Sequence, residues 1–228
     1  MTKRISCILQ QIKPCNIVFD IGSDHAQVAI NLLQNNIAKH VVNTDIAKKP
    51  LTTTIHNLQN AGLIKKTTNI HADGLQFSFH KPIDYCVIAG LGSHTITNIL
   101  THANKHLKIN KYIIVSNNKP EIIRFWLKTS NWKLENEQII YDKNVFYFLF
   151  VVSKKGLIIK TPKDIYIGVY LPKRPSNELY QWIHQELIKL DKIPAMGYNN
   201  IQLVKRRLFT SFFRKTWTQK KHFTHIHN

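Results

Sequence analysis

The chain has 228 residues, 43% of them hydrophobic, enough to build one packed domain with a small appendage and to exclude a disordered chain. Its formal charge of +19 predicts a polyanionic partner, nucleic acid ahead of an anionic membrane surface. Cys7, Cys15 and Cys86 lack C-x-x-C spacing, no apolar run approaches the ~20 residues that span a bilayer, and no targeting pattern follows Lys3-Arg4, so a soluble, cytoplasmic protein with reduced thiols is expected.

Ile5, Ile8, Leu9 and Ile12 recur at helical spacing and predict a helix over 2–13, ended by Pro14. Residues 16–21 form a first apolar strand. It runs into the turn Asp20-Ile21-Gly22-Ser23-Asp24-His25-Ala26, where Ser23 is placed to cap a helix reaching about Asn36. A second strand over 40–46 ends at Asp45, and a helix over 48–61 stops at Gly62. A third strand over 67–71 ends before Asp73-Gly74. Residues 83–89 are the most apolar strand, followed by Gly90-Leu91-Gly92 and a helix over 94–107. A strand over 111–115 leads into Ser116-Asn117-Asn118 and a helix over 119–130. Two further strands, 133–140 and 145–152, flank a turn at Asp142-Lys143-Asn144. Five alternations of strand and helix predict a doubly wound, mostly parallel α/β sheet with an antiparallel edge hairpin.

Beyond residue 152 the pattern changes. Residues 153–175, with Pro162, Pro172 and Pro175, read as irregular strands and a linker. Apolar stripes over 177–192 and 199–217 predict an antiparallel pair of helices, and 218–228 read as a frayed polar tail. The expected division is a domain over 1–172 and a basic two-helix domain over 173–228. The second holds 11 Lys and Arg against 3 acids, the first 21 against 10. Lys205, Arg206, Arg207, Arg214 and Lys215 are the expected phosphate contacts there; a solvated helix face is the plainer reading. His222, His225 and His227 read as solvated tail, because no cysteine or acid completes a metal site.

With only 13 acids in the chain, their positions are informative. Asp20, Asp45 and Asp73 fall at the ends of successive strands, on the edge of a parallel sheet where ligands bind. Asp45 is placed to take the hydroxyls of a ribose, and Asp73-Gly74 to meet an adenine. Gly22, Ala89 and Gly90 are small enough for close backbone approach. Each acid alone could be a turn or a solvated side chain; together they predict an adenosine site. The dinucleotide pattern G-x-G-x-x-G and the P-loop are both missing, which favours a cofactor without phosphates, such as S-adenosylmethionine.

The runs Asp20-Ile21-Gly22-Ser23-Asp24-His25-Ala26, Asp73-Gly74-Leu75 and Ile88-Ala89-Gly90-Leu91-Gly92 resemble the bacterial tRNA (adenine-22, N1-position) methyltransferases, the TrmK family. Lys3-Arg4-Ile5, Arg124-Phe125-Trp126-Leu127 and Asn131-Trp132 fit the same pattern. The likeness covers about residues 3–152, and the C-terminal helices match in pattern only. It implies a Rossmann-like class I methyltransferase domain, S-adenosylmethionine as donor, and C-terminal helices that help to hold tRNA. Carried over by position, the cofactor residues are Asp20, Gly22, Ser23, Asp45, Asp73, Gly74, Ala89 and Gly90, with Arg4 an added RNA contact. Three departures stand out. Gly90-Leu91-Gly92-Ser93 replaces the usual Gly-Met-Gly-Gly, Ser116-Asn117-Asn118 replaces Gln-Pro-Asn, and Phe148 stands where an acid is usual.

Adenine N1 already carries a lone pair, so the reaction needs positioning rather than a strong base, and the base must leave its stack to expose that edge. Asp24 and Asn118 are the expected polar contacts to the base; Asp24 could equally bind cofactor or favour a helix start. Two other readings of the same sheet are a catalytically degenerate RNA-binding protein and a small-molecule oxidoreductase.

Overall fold

The computed structural model describes all residues except 195–198 and 225–228; the side chains of Asp24 and of residues 216–224 are also outside the description. Seven strands, β1 (Cys15–Ile21), β2 (Ala38–Asp45), β3 (Thr67–His71), β4 (Ile83–Leu91), β5 (Ile109–Ser116), β6 (Lys133–Asp142) and β7 (Val145–Ser153), form one sheet in the order 3-2-1-4-5-7-6. The first five run parallel, and β7 is antiparallel to both β5 and β6. The doubly wound sheet with an antiparallel edge hairpin is therefore the observed architecture.

The sheet is buried on both faces, as its unbroken apolar strands require. On one face Val18, Val41, Val87 and Ile113 pack with α1 (Lys3–Leu9), α2 (Gln27–Gln34) and Leu58 of α3 (Lys48–Asn60). On the other, Phe19, Ile88, Ile114 and Phe150 pack with α4 (Ser93–Thr101) and α5 (Pro120–Thr129). The helix expected over 94–107 ends at Thr101. Beyond it Asn104 is tied back to Phe77 and Leu75 through its side-chain and backbone N–H groups, which fixes the chain as a loop.

Residues 153–175 are not a linker. They contain a short helix, α6 (Pro162–Tyr166), closed by a capping box at Thr161 and Asp164, and they bury Ile159, Ile167 and Leu171. A fully buried ion pair holds them down. Arg124 Nε of α5 donates to Glu137 Oε1 of β6 at 2.6 Å, and both side chains are wholly buried. Arg124 Nη1 donates to the Ile165 carbonyl at 2.9 Å, while Glu137 Oε2 accepts from the backbone N–H of Val169 at 3.1 Å. The guanidinium also lies 5.7 Å from the Phe150 ring centroid, a cation–π arrangement. Arg124, in sequence one residue of a motif, is the fastening of this segment.

α7 (Asn177–Asp191) and α8 (Asn200–Thr224) follow. Tyr180 faces Phe212, Trp182 faces Phe209 and Asp191 pairs with Arg206, so the two helices run antiparallel. α8 continues through Thr224, past the expected start of a frayed tail; His225 and His227 lie outside the described residues, as does the side chain of His222. The pair is seated on the sheet, because Trp182 meets Phe148 of β7 edge-on at 4.9 Å. That contact gives Phe148 its place: the ring is 1% exposed and packs between Trp182 and the Arg124 guanidinium, 5.9 Å from its centroid.

Removing one partner of a buried pair leaves an uncompensated charge. Arg124→Met should lower unfolding free energy by about 3–5 kcal/mol, and Arg124→Met with Glu137→Leu should recover most of it. Urea denaturation checks this; a single-variant loss below about 1 kcal/mol would contradict a fastening role.

Candidate active site

The carboxyl ends of β1, β2 and β4 open into a cavity of about 510 Å³, lined by Asp20, Gly22, Ser23, Asp45, Asp73, Gly74, Ala89 and Gly90. All eight expected cofactor residues are thus brought together. The volume lies within the roughly 300–1,000 Å³ of small-molecule sites.

The turn after β1 is more contorted than a simple strand-to-helix step. Gly22, His25 and Ala26 all have positive φ, at 70°, 65° and 55°. Two of these are not glycine, a strain that persists only when neighbours hold it. α3 supplies the hold: Thr54 donates its hydroxyl to the Ser23 carbonyl, and Asn57 donates its amide to the His25 carbonyl at 3.1 Å. Ser23 makes no side-chain cap, contrary to expectation. Its hydroxyl is buried 3.5 Å from Thr54 Oγ1, and a single turn of 3-10 helix (Asp24–Ala26) precedes α2.

Asp20 is the unusual group. It is 4% exposed, and no ion pair to it exists among the described residues. Burial pushes its carboxyl from 3.8 up to about 7, against the lowering effect of the Ala29 backbone N–H. Asp45 is better satisfied: its Oδ1 accepts from the Ala47 N–H at 2.8 Å, which fixes the carboxylate at the cavity wall. Asp73 Oδ2 accepts from Gln76 Nε2 at 3.1 Å. Gly90 sits in a break in the β4–β5 register with φ of 84°, a left-handed position that suits glycine and re-aims the strand end at the cavity.

Arg4, expected as an RNA contact, lines this cavity, with its guanidinium 5.1 Å from the Tyr147 ring centroid. The sequence signal for α1 as a wall of the site was weak, because its apolar spacing says nothing about which sheet edge it covers. The backbone of Asp24 lies in the turn, but its side chain is outside the description. Asn118 does not line the cofactor cavity; it stands beside it. Its Oδ1 accepts from the Ser93 N–H at 3.1 Å, and Ser93 Oγ and Ser116 Oγ lie 2.6 Å from each other and from the Asn118 carbonyl oxygen. Ser93 and Ser116, two of the departures noted in the sequence, thus complete one hydrogen-bonded knot that joins β4 to the loop after β5.

Arg206, Arg207, Arg214 and Lys215 share one face of α8 with Thr210 and Ser211. Lys205 is apart from them. It is ion-paired to Glu121 of α5 and lies 5.4 Å from the Tyr166 ring centroid, so it fastens α8 to the sheet domain. That is a correction to its expected role as a phosphate contact.

The cavity is a fit for an adenosine cofactor with a cationic end. It presents three carboxylates and one arginine, a poor match to a pyrophosphate, and the buried Asp20 forms no ion pair among the described residues. Among the described residues no helix is long and apolar enough to cross a membrane.

The pH dependence follows from Asp20. The folded chain holds a proton on it that the unfolded chain has released between about pH 4 and pH 7, so this group's contribution to stability falls as pH rises through that window and is level above it. Asp20→Asn should therefore raise Tm of the ligand-free protein at pH 8 and leave it nearly unchanged at pH 4. Thermal unfolding at the two pH values checks this; equal effects at both would refute the buried-carboxylate assignment.

Comparison with known proteins gives the family and the fold. A family profile described as TrmK, tRNA (adenine(22)-N(1))-methyltransferase, matches residues 18–214. A Mycoplasma pneumoniae protein named as a tRNA methyltransferase is 32% identical over 200 residues, covering 83% of this chain and 89% of that one. The Bacillus subtilis tRNA (adenine(22)-N(1))-methyltransferase is 26% identical over 154 residues, covering 67% and 65%. Among solved structures, M. capricolum TrmK in complex with S-adenosyl-homocysteine superposes with a TM-score of 0.80 at 28% identity, covering 95% of this chain and 97% of that one.

Proposed function

The chain belongs to the TrmK family of tRNA (adenine(22)-N(1))-methyltransferases, and from that premise we propose how its own residues carry the reaction. The activity is transfer of a methyl group from S-adenosylmethionine to N1 of an adenine in tRNA. The observation that supports the assignment of roles is the three-carboxylate cavity in which Asp20 is buried and, among the described residues, has no ion pair.

S-adenosylmethionine supplies a methyl group activated by its sulfonium. Everything else is positioning, because N1 attacks with a lone pair it already has. Asp45 accepts from the ribose hydroxyls, and its bond from Ala47 keeps it oriented to do so. Asp73 and Gly74 meet the adenine. Asp20, with Gly22, Ala89 and Gly90, holds the amino-acid end, where an ammonium offsets the buried carboxylate. Ser23 keeps the turn in shape through α3 rather than by direct contact. Asp24 and Asn118 border the entering base; the knot at Ser93 and Ser116 fixes the Asn118 amide in advance of binding, which spares an ordering cost at the moment of reaction. Arg4, beside Gly90 and stacked with Tyr147, lies where the flipped nucleotide enters. Arg207 and Arg214, on one face of α8, hold tRNA phosphates with Lys215, and Arg206 joins them only by exchanging its exposed pair with Asp191. The two-helix unit of residues 173–228 is the part that grips tRNA, and such a substrate places the protein in the cytoplasm.

Incubation with methyl-labelled donor and unmodified tRNA tests the function: label should appear on tRNA. Asp45→Ala should weaken donor binding by about 10–100-fold, as loss of charge-assisted hydrogen bonds does, while tRNA affinity stays nearly constant. Calorimetry and filter binding read the two; an equal fall in both would refute the ribose assignment. Because α7 and α8 share the core of the sheet, removing them would disturb the fold, so charge reversal is the cleaner test of the basic face. Arg207→Glu with Arg214→Glu should reduce tRNA affinity by about tenfold or more and lower the salt slope by about 2, with donor binding unchanged. An unaltered salt slope would remove α8 from the RNA interface.

A further inference from the structure

A second cavity, of about 440 Å³, lies on the far side of Asn118 from the cofactor site. Its walls come from the loop after β5, the β6–β7 turn and the side of α7 that carries Trp182 and Gln185. Asn118 is the partition: its amide nitrogen would lie 3.4 Å from a Cβ on Gly92, which follows directly on the Gly90-Leu91 edge of the first cavity.

The lining is apolar below and amide above. Phe148 and Trp182 form a floor that is 1% and 7% exposed. Phe146 is half-buried, held by Tyr141 at 4.7 Å between ring centroids, and lines the side. Asn117 and Gln185 are exposed at the rim. Their amides offer a donor and an acceptor each, the groups that match the edge of a nucleobase. Two of the three lysines in the lining are already neutralised, Lys205 by Glu121 and Lys189 by Glu186. Lys119 is exposed, forms no ion pair among the described residues, and is left for a phosphate. A flat aromatic slot with amide rims and one cation suits a single unpaired nucleotide better than a duplex, which would need several cations along its backbone.

We infer that this groove takes the base of the nucleotide next to the methylated adenine, stacked against Phe146 and read by Asn117 and Gln185. The inference rests on the methyltransferase reading, which brings the adenine to the other side of Asn118. It makes the groove a specificity subsite: holding the neighbour out of its stack keeps the target adenine extruded.

The test uses the full-length protein and an unmodified tRNA transcript. Phe146→Ala and Gln185→Ala should each raise Kd for tRNA, the former by about fivefold or more, as loss of one stacked base does, with donor Kd unchanged. Transcripts made abasic at the position before or after the target adenine complete the cycle. One of the two should bind wild type more weakly and show no further loss with Phe146→Ala. If Phe146→Ala fails to fold, Gln185→Ala, an exposed position, decides the matter alone. Unchanged tRNA Kd in the variants, or full affinity for both abasic transcripts, overturns the inference. A wild-type protein that binds tRNA in this way yet leaves every adenine unmethylated would sink the enzymatic reading instead, since Kd reads the groove independently of turnover.

Discussion

A carboxyl group buried at the end of a central strand, with no ion pair to it, is a costly thing to build. Asp20 is such a group among the described residues, and the surrounding structure is shaped by it. Its strand is central, between β2 and β4, and its carboxyl is covered from the face where α2 packs, meeting the Ala29 backbone N–H there. The chain then has to leave the strand through a turn with three positive φ values, and α3 is recruited to hold that turn through Thr54 and Asn57. The arrangement makes physical sense if a cationic ligand spends much of its time in the cavity. The ligand-free protein then carries a destabilised site that binding relieves.

The second organising contact is the Arg124–Glu137 pair. It lies away from the cofactor but decides where the C-terminal helices sit, since it anchors the segment that leads to them. Lys205 to Glu121 and Trp182 to Phe148 complete that seating. The consequence is functional: the basic face of α8 and the carboxyl edge of the sheet are joined through one continuous core. An RNA held by the first presents a base to the second at a fixed reach, which is what a positioning enzyme requires.

The sheet and the gathering of eight residues around one cavity at its carboxyl edge were legible in the sequence because both rest on local signals. Unbroken apolar strands mark buried strands, and acids or glycines at their ends mark the ligand edge. What could not be read were contacts between residues far apart in the chain. The fastening of 153–175 depends on Arg124 meeting Glu137 and Ile165, and prolines there looked like a linker. Lys205 looked like a phosphate contact because its acid, Glu121, is 84 residues away. Ser23 looked like a cap because its true partner, Thr54, lies on another helix. Ser93 and Ser116 read as separate departures from a family pattern; only their proximity makes them one compensated change. Asp24, whose role the sequence left open between base, cofactor and helix start, has a side chain outside the described residues.

The central claim is that this cavity presents a methyl group to N1 of one adenine in tRNA. Methylation at N1 blocks Watson–Crick pairing, so reverse transcription stops at the modified base. The most direct measurement is to map such stops on an unmodified tRNA transcript after incubation with the protein and S-adenosylmethionine. The account predicts one new stop, at adenine 22, that disappears when the donor is omitted. Stops elsewhere, or none with a transcript that the protein binds, would contradict it.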